Sequence, residues 1–203
     1  MASTLIAIDG ATDRLVGMNP TAKSAIMEGI LGRIFPEARA AGLADEGRPS
    51  VLCLLRAMDN LRASGTENNC NAWYHMLAGG RDAAEDMVGG WVDINVEQVA
   101  AWNPDVIFLN SFEAGLTLDR IMNDPILSLT SAAQSGCVYK MPLGRYRSPP
   151  NRESPLTWMW TANLLHPDLF DYDLRAEMRT AYQVPYGHDL TDADIDESLW
   201  ARA

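Results

Sequence analysis

The chain has 203 residues, 47% of them hydrophobic and 21% charged, with a formal net charge of −11 at pH 7. That apolar content suits one sizeable core or two small ones. A chain this negative repels phosphate backbones and anionic lipid, which sets nucleic acid and membrane surfaces aside as expected partners.

The first nine residues, Met1-Ala2-Ser3-Thr4-Leu5-Ile6-Ala7-Ile8-Asp9, have neither a basic start nor a long apolar centre, so no signal peptide is expected there. No stretch reaches the ~20 apolar residues of a membrane span. Residues 14–18 read as a short strand. Residues 21–35 follow Asn19-Pro20 and repeat apolar side chains at helical spacing (Ala25, Ile26, Ile30, Leu31, Ile34), up to the break at Pro36. Residues 42–49 are polar and contain Gly47 and Pro49, as a linker would. The main boundary is placed there, dividing the chain into 1–48 and 49–203.

Beyond it the pattern sharpens. Residues 51–55 are a continuous apolar run, as expected of a strand buried on both faces. Residues 59–69 read as a polar loop, and 71–77 as a helix closed by Gly79-Gly80. Residues 96–102 read as a short helix stopped at Asn103-Pro104. A second buried strand is expected over 105–109 and a third over 138–141, ended by Pro142. Helices are expected over 156–165, 174–182 and 192–200, the first with Ser154 as N-cap and Pro155 in its first turn. Thr191 caps the last, with Asp194 at the capping-box position. Short apolar strands separated by helices predict an α/β fold, a parallel sheet flanked by helices.

Ligands of such sheets bind at the loops beyond the strands' carboxyl ends. That selects residues 56–69, 110–115 and 143–151. In the first, Trp73 and Tyr74 follow the loop and could stack on a flat aromatic ligand or simply pack a helix into the core. His75 could ligate iron or be a satisfied histidine. In the second, Ser111 and Phe112 stand next to the strand end. In the third, Arg145 and Arg147 could hold carboxylate or catecholate oxygens, with Tyr146 stacking or donating between them, or could merely be solvated.

Cys53, Cys70 and Cys137 form no C-x-x-C pair, and Cys53 and Cys137 read as buried small hydrophobes. Asp192, Asp194 and Asp196 alternate like the start of a calcium loop, but Glu197 stands where the sharp turn needs glycine, so they read as a capped acidic helix. No nucleophile elbow, Walker loop, G-x-G-x-x-G or H-E-x-x-H occurs.

Five segments in order resemble a known family. They are Asp13-Arg14-Leu15-Val16-Gly17; Ala78-Gly79-Gly80, with Asp82 where asparagine is usual; Asn95-Val96-Glu97-Gln98-Val99 running into Ala101-Trp102-Asn103-Pro104-Asp105-Val106-Ile107; Gly136-Cys137-Val138-Tyr139-Lys140-Met141-Pro142; and Arg152-Glu153-Ser154-Pro155-Leu156 with Trp158, Trp160 and His166-Pro167-Asp168-Leu169-Phe170. This pattern is similar to the periplasmic solute-binding proteins of ABC importers for iron-siderophore, haem and cobalamin.

The resemblance implies a two-lobed, non-enzymatic binding protein that catches a metal chelate between its lobes and docks on a membrane permease. It implies no resident cofactor or structural metal, the ligand being a ferric siderophore, haem or cobalamin. It implies a periplasmic or extracytoplasmic place of work. Glu97 matches the acidic residue that a lobe presents to arginines of the permease. The family carries one such acidic helix, followed by Pro-Asp and a strand, in each lobe. Here one is found, so 1–48 reads as a remnant of the first lobe and 49–203 as the second lobe with a helical tail. A homodimer would then cover the open half-cleft. The competing readings are a cytoplasmic α/β enzyme of metal or tetrapyrrole handling, which lacks a catalytic constellation, and a truncated product with impaired binding.

Overall fold

A computed structural model describes residues 47–55, 60–65, 75, 78–111, 113, 115–143, 154–168 and 170–200. Its centre is a six-stranded sheet. The strands are β1 (Ser50–Leu55), β2 (Leu61–Ser64), β3 (Arg81–Asp82), β4 (Trp91–Ile94), β5 (Val106–Leu109) and β6 (Val138–Lys140). The order is β4-β2-β1-β5-β6, and β3 joins β1 beside its first residues. β1, β5 and β6 are parallel, with Cys53 opposite Phe108 and Phe108 opposite Tyr139. β2 runs against both β1 and β4.

The sheet is thus parallel at its centre and mixed at one side. β2 corrects the expectation of a loop over 59–69. Leu61 and Ala63 are buried on one face while Arg62 faces outward, an alternation that a single large apolar residue makes faint.

Successive residues of a strand face opposite ways, and both faces here are covered. Leu52, Leu54, Ile107, Leu109 and Val138 point to one side. There they meet Val99 of α1 (Val96–Trp102), Ile121 of α2 (Leu118–Met122), Leu127 of a 3-10 turn (Leu127–Leu129), and Ala132 and Ala133 of α3 (Ser131–Gln134). Val51, Cys53, Phe108 and Met141 point to the other side, under Trp158, Trp160, Ala162 and Leu165 of α4 (Ser154–Leu165). Behind α4 lie α5 (Leu174–Tyr186) and α6 (Asp192–Leu199), joined to it through Leu156, Met178 and Ile195. Cys53 is buried as expected, whereas Cys137 is only half-buried, because it stands in the exposed turn before β6.

Local signals explain the element ends. Asn95 caps α1 by accepting from the Gln98 N–H at 2.8 Å. Asn103 ends it in the left-handed region at φ 44, which asparagine tolerates. The Asn103 side chain also donates to Ser131 Oγ and accepts from the Ser131 N–H, tying α1 to α3. Gly79 takes φ 87, in the left-handed region that glycine tolerates, and the Gly80 N–H donates to the His75 carbonyl at 2.8 Å. Thr191 and Asp194 form the expected capping box on α6. Asp192 and Asp196 of the same helix pair with Arg175, and Asp192 also with Arg179, so two of the three alternating aspartates tie α6 to α5 and the third caps it.

Gly65 closes β2 where the chain is tightest. Its N–H donates to the Gly90 carbonyl at 2.7 Å, and a Cβ there would stand 2.5 Å from the Gly89 oxygen and 2.9 Å from the Met87 oxygen. Backbone cannot swing away as a side-chain tip can. Gly65→Ala is therefore expected to cost about 2–3 kcal/mol by prising β2 from the turn before β4. A urea titration showing less than about 0.5 kcal/mol of loss would contradict that crowding.

Candidate functional site

Because β2 is antiparallel to its neighbours, β1, β4, β5 and β6 all end at the same edge of the sheet. Leu55, Ile94, Leu109 and Lys140 are the last residues of these strands. The Asn110 N–H donates to the Leu54 carbonyl at 3.0 Å, which carries the β1–β5 pairing one residue further and sets where the next loop leaves. Asn110 is fully buried and Ser111 is 7% exposed. The loop then turns back through a hydrogen bond from the Leu116 N–H to the Glu113 carbonyl at 3.1 Å.

Lys140 braces that loop from β6. Its ammonium donates to the carbonyls of Glu113 at 2.6 Å and Leu116 at 2.7 Å. Burial pulls its pKa down, opposed by the nearby Glu113 carboxylate. It also lies 5.7 Å from the centroid of the Trp200 ring. Sequence reasoning singled out neither residue. The only trace was a lysine at the end of an otherwise apolar strand, with a tryptophan far away in the tail.

Glu97 sits in the first turn of α1, directly beyond the end of β4, with its side chain exposed. Asn95 and Gln98 of that turn join Asn60, Met87, Asp93 and Ile94 around an open pocket of about 290 Å³. Arg62 and Asp93, cross-strand partners on β2 and β4, are ion-paired beside it. The structure therefore brings Ser111 and Glu97 to one edge, Ser111 nearly covered and Glu97 open to solvent. Trp73, Tyr74, Phe112, Arg145, Tyr146 and Arg147 lie outside the described residues.

His75 is 1% exposed and packs against Phe108, ring centroids 5.4 Å apart, with no hydrogen-bond partner for either ring nitrogen. Burial lowers its pKa to about 3, so it is neutral. It is part of the core in this structure. Among the described residues, no group of three or more His, Cys, Asp or Glu side chains is placed to hold a metal ion. Nor is any of their helices long and apolar enough to cross a membrane.

A central parallel sheet with helices on both faces, and loops gathered at one edge, is the architecture of a solute-binding protein lobe. Residues 45–143 match the family model described as periplasmic binding protein. The likeness read from five short motifs is thus borne out, and over these residues the chain is similar to the periplasmic binding protein family. A periplasmic solute-binding protein of Veillonella parvula is 30% identical, with a TM-score of 0.72, over 98% of this chain and 54% of that one. Helicobacter pylori CeuE in a nickel–histidine complex is 22% identical, with a TM-score of 0.63, over 98% and 56%. Haemophilus influenzae MolA bound to molybdate is 23% identical, with a TM-score of 0.63, over 84% and 50%. The last two likenesses are of fold. The chain spans about half the length of these solved relatives. Comparison with curated proteins gives no match.

Proposed function

We propose that this chain is the solute-binding component of an ABC importer, with residues 49–203 forming one wall of the ligand cleft and 1–48 belonging to the other lobe. The observation that carries this reading is the shared edge of β1, β4, β5 and β6, in a region that matches the periplasmic binding protein family. The protein works outside the cytoplasm, by binding and not by turnover. Its ligand is a small metal-bearing solute: a ferric siderophore, haem or cobalamin by the motifs, with nickel–histidine and molybdate admitted by the solved relatives. Trp73, Tyr74, Ser111, Phe112, Arg145, Tyr146 and Arg147 are proposed to line it, aromatic faces against rings and guanidinium groups against anionic oxygens.

Tryptophan-fluorescence titration with haemin, cyanocobalamin, a ferric tris-catecholate, nickel–histidine and molybdate tests this. Saturable quenching by one of them, weakened in an Arg145→Ala, Arg147→Ala double variant, supports the reading. A folded protein that responds to none overturns it. A second copy of the chain is proposed to bind at this edge, and sedimentation showing a monomer at every concentration would end that idea.

Glu97 is proposed as the carboxylate that meets a guanidinium of the permease, since it is exposed and carried on a capped helix beside the cleft edge. Glu97→Lys is expected to weaken binding to the reconstituted permease at least about tenfold, because it replaces attraction by like-charge repulsion. Ligand affinity should stay as it was. Unchanged permease affinity in a pull-down titration would remove the role.

A further inference from the structure

The helical tail is joined to the cleft edge by specific contacts and not only by apolar packing. Trp200 follows α6 in the left-handed region at φ 56, an unusual conformation for a bulky residue. Its indole N–H donates to the Met141 carbonyl at 2.6 Å, and the Leu143 N–H donates back to the Ser198 carbonyl at 2.8 Å. These two bonds fix the chain as it leaves β6. The Trp200 ring then lies by the Lys140 ammonium, whose two other contacts are the Glu113 and Leu116 carbonyls of the loop after β5. One lysine therefore connects three segments that are far apart in sequence: the β5 loop, the end of β6 and the tail.

We propose that Lys140 is the positioning residue of the ligand-edge loop 110–116, and that Trp200 holds Lys140 in place, so that the tail sets the order of the loop. The inference rests on the reading of this edge as the ligand cleft. An ammonium between two carbonyls makes two charge-assisted hydrogen bonds in a half-buried place, which fixes the loop's turn before any ligand arrives. Without it the two carbonyls lose those bonds, and the loop samples other conformations. A ligand would then have to order it on binding.

The test compares the full chain with Lys140→Met and Lys140→Arg, using amide hydrogen exchange and the titration with haemin, cyanocobalamin, the ferric tris-catecholate, nickel–histidine and molybdate. Methionine keeps the length of the stem and loses the charge and donors. Arginine keeps both and can still lie on the indole. In Lys140→Met, amides of 110–116 are expected to exchange about tenfold faster, with those of β1 and β5 unchanged, and the probe that binds the parent should bind about tenfold more weakly. Lys140→Arg should restore both. Unchanged loop exchange overturns the proposal. So does exchange that rises equally across the sheet, which would mark general destabilisation, and so does a faster loop with unaltered affinity. If no probe binds the parent protein, the reading of function falls, and the exchange comparison alone decides whether Lys140 positions the loop.

Discussion

In a His75→Leu variant, stability is expected to fall as pH rises from about 4 to about 6, a span over which the parent protein stays nearly level. Two buried groups of opposite sense produce that level stretch. His75 is held neutral by burial, its pKa lowered from 6.5 to about 3. Below 6.5 the unfolded chain takes up a proton that the folded chain refuses. The contribution of His75 is therefore whole above 6.5 and is lost as pH falls toward 3, by about 5 kcal/mol in all.

Asp82 behaves the other way. Burial, with the nearby Glu85 and Asp86, raises its pKa from 3.8 to about 6, although the Ala84 N–H on one of its oxygens pulls it down. Its other oxygen is buried without a partner. The folded chain holds this proton where the unfolded chain has released it. Its contribution is whole below 3.8 and is lost as pH rises through 6, by about 3 kcal/mol. Between the two limits the slopes are each about 1.4 kcal/mol per pH unit and of opposite sign. Removing His75 leaves the falling slope of Asp82. Asp82→Asn leaves the rising slope of His75, so that variant should gain stability steadily from pH 4 to above 6. Urea midpoints at pH 4, 5, 6 and 7 for the parent and both variants give the comparison. Three parallel curves would show that neither group titrates abnormally in the fold.

His75 also shows where sequence reasoning stops. One histidine after two aromatic residues reads as an iron ligand, a surface residue or a satisfied hydrogen-bonder, and the structure instead buries it against Phe108 with neither ring nitrogen partnered. The deciding fact is its contact with Phe108 and its 1% exposure, both products of tertiary structure. β1, α1, β5 and α6 were legible because each satisfies a local rule strongly. β1 and β5 are unbroken apolar runs, α1 has Asn at both ends, and α6 begins at a Thr–Asp box. β2 and β4 were not, since their residues owe strand form to pairing with each other across the register Leu61–Ile94 and Ser64–Trp91. A strand held by its neighbours leaves little mark in its own sequence.

The edge itself was legible from topology alone, because parallel strands must all end on one side. Ser111 was placed there for that reason, whereas Glu97 was singled out only by its match to the acidic helix of the resembling family. Lys140 was missed because its role depends on two backbone carbonyls, and no residue type advertises a carbonyl. Trp200 was missed because it reaches that edge from 59 residues along the chain, through the hydrogen bond to Met141.

Phe108→Ala is expected to cost about 3–5 kcal/mol, enough to remove much of the stability of a domain this size. Phe108 is fully buried in β5, at the centre of the sheet, with Cys53 opposite it on one side and Tyr139 on the other. Its ring meets Trp160 of α4 at 5.1 Å, tilted 45°, as well as His75 and Tyr139. These contacts fasten α4 to the sheet, and alanine would leave a void bounded by three rings that rigid strands cannot close. Phe108→Leu fills most of that space and should cost under about 2 kcal/mol. The difference separates a packing role from a need for an aromatic ring. Urea titration gives both values, and near-ultraviolet circular dichroism should weaken in the alanine variant as Trp160 loses its fixed surroundings. A loss below about 1 kcal/mol with an unaltered spectrum would mean that α4 is held by Leu165 and Trp158 instead. The edge where the strands end would respond as well. β5 delivers Asn110 and Ser111 to it, so a loosened β5 should raise amide exchange in 110–116 even with Lys140 intact.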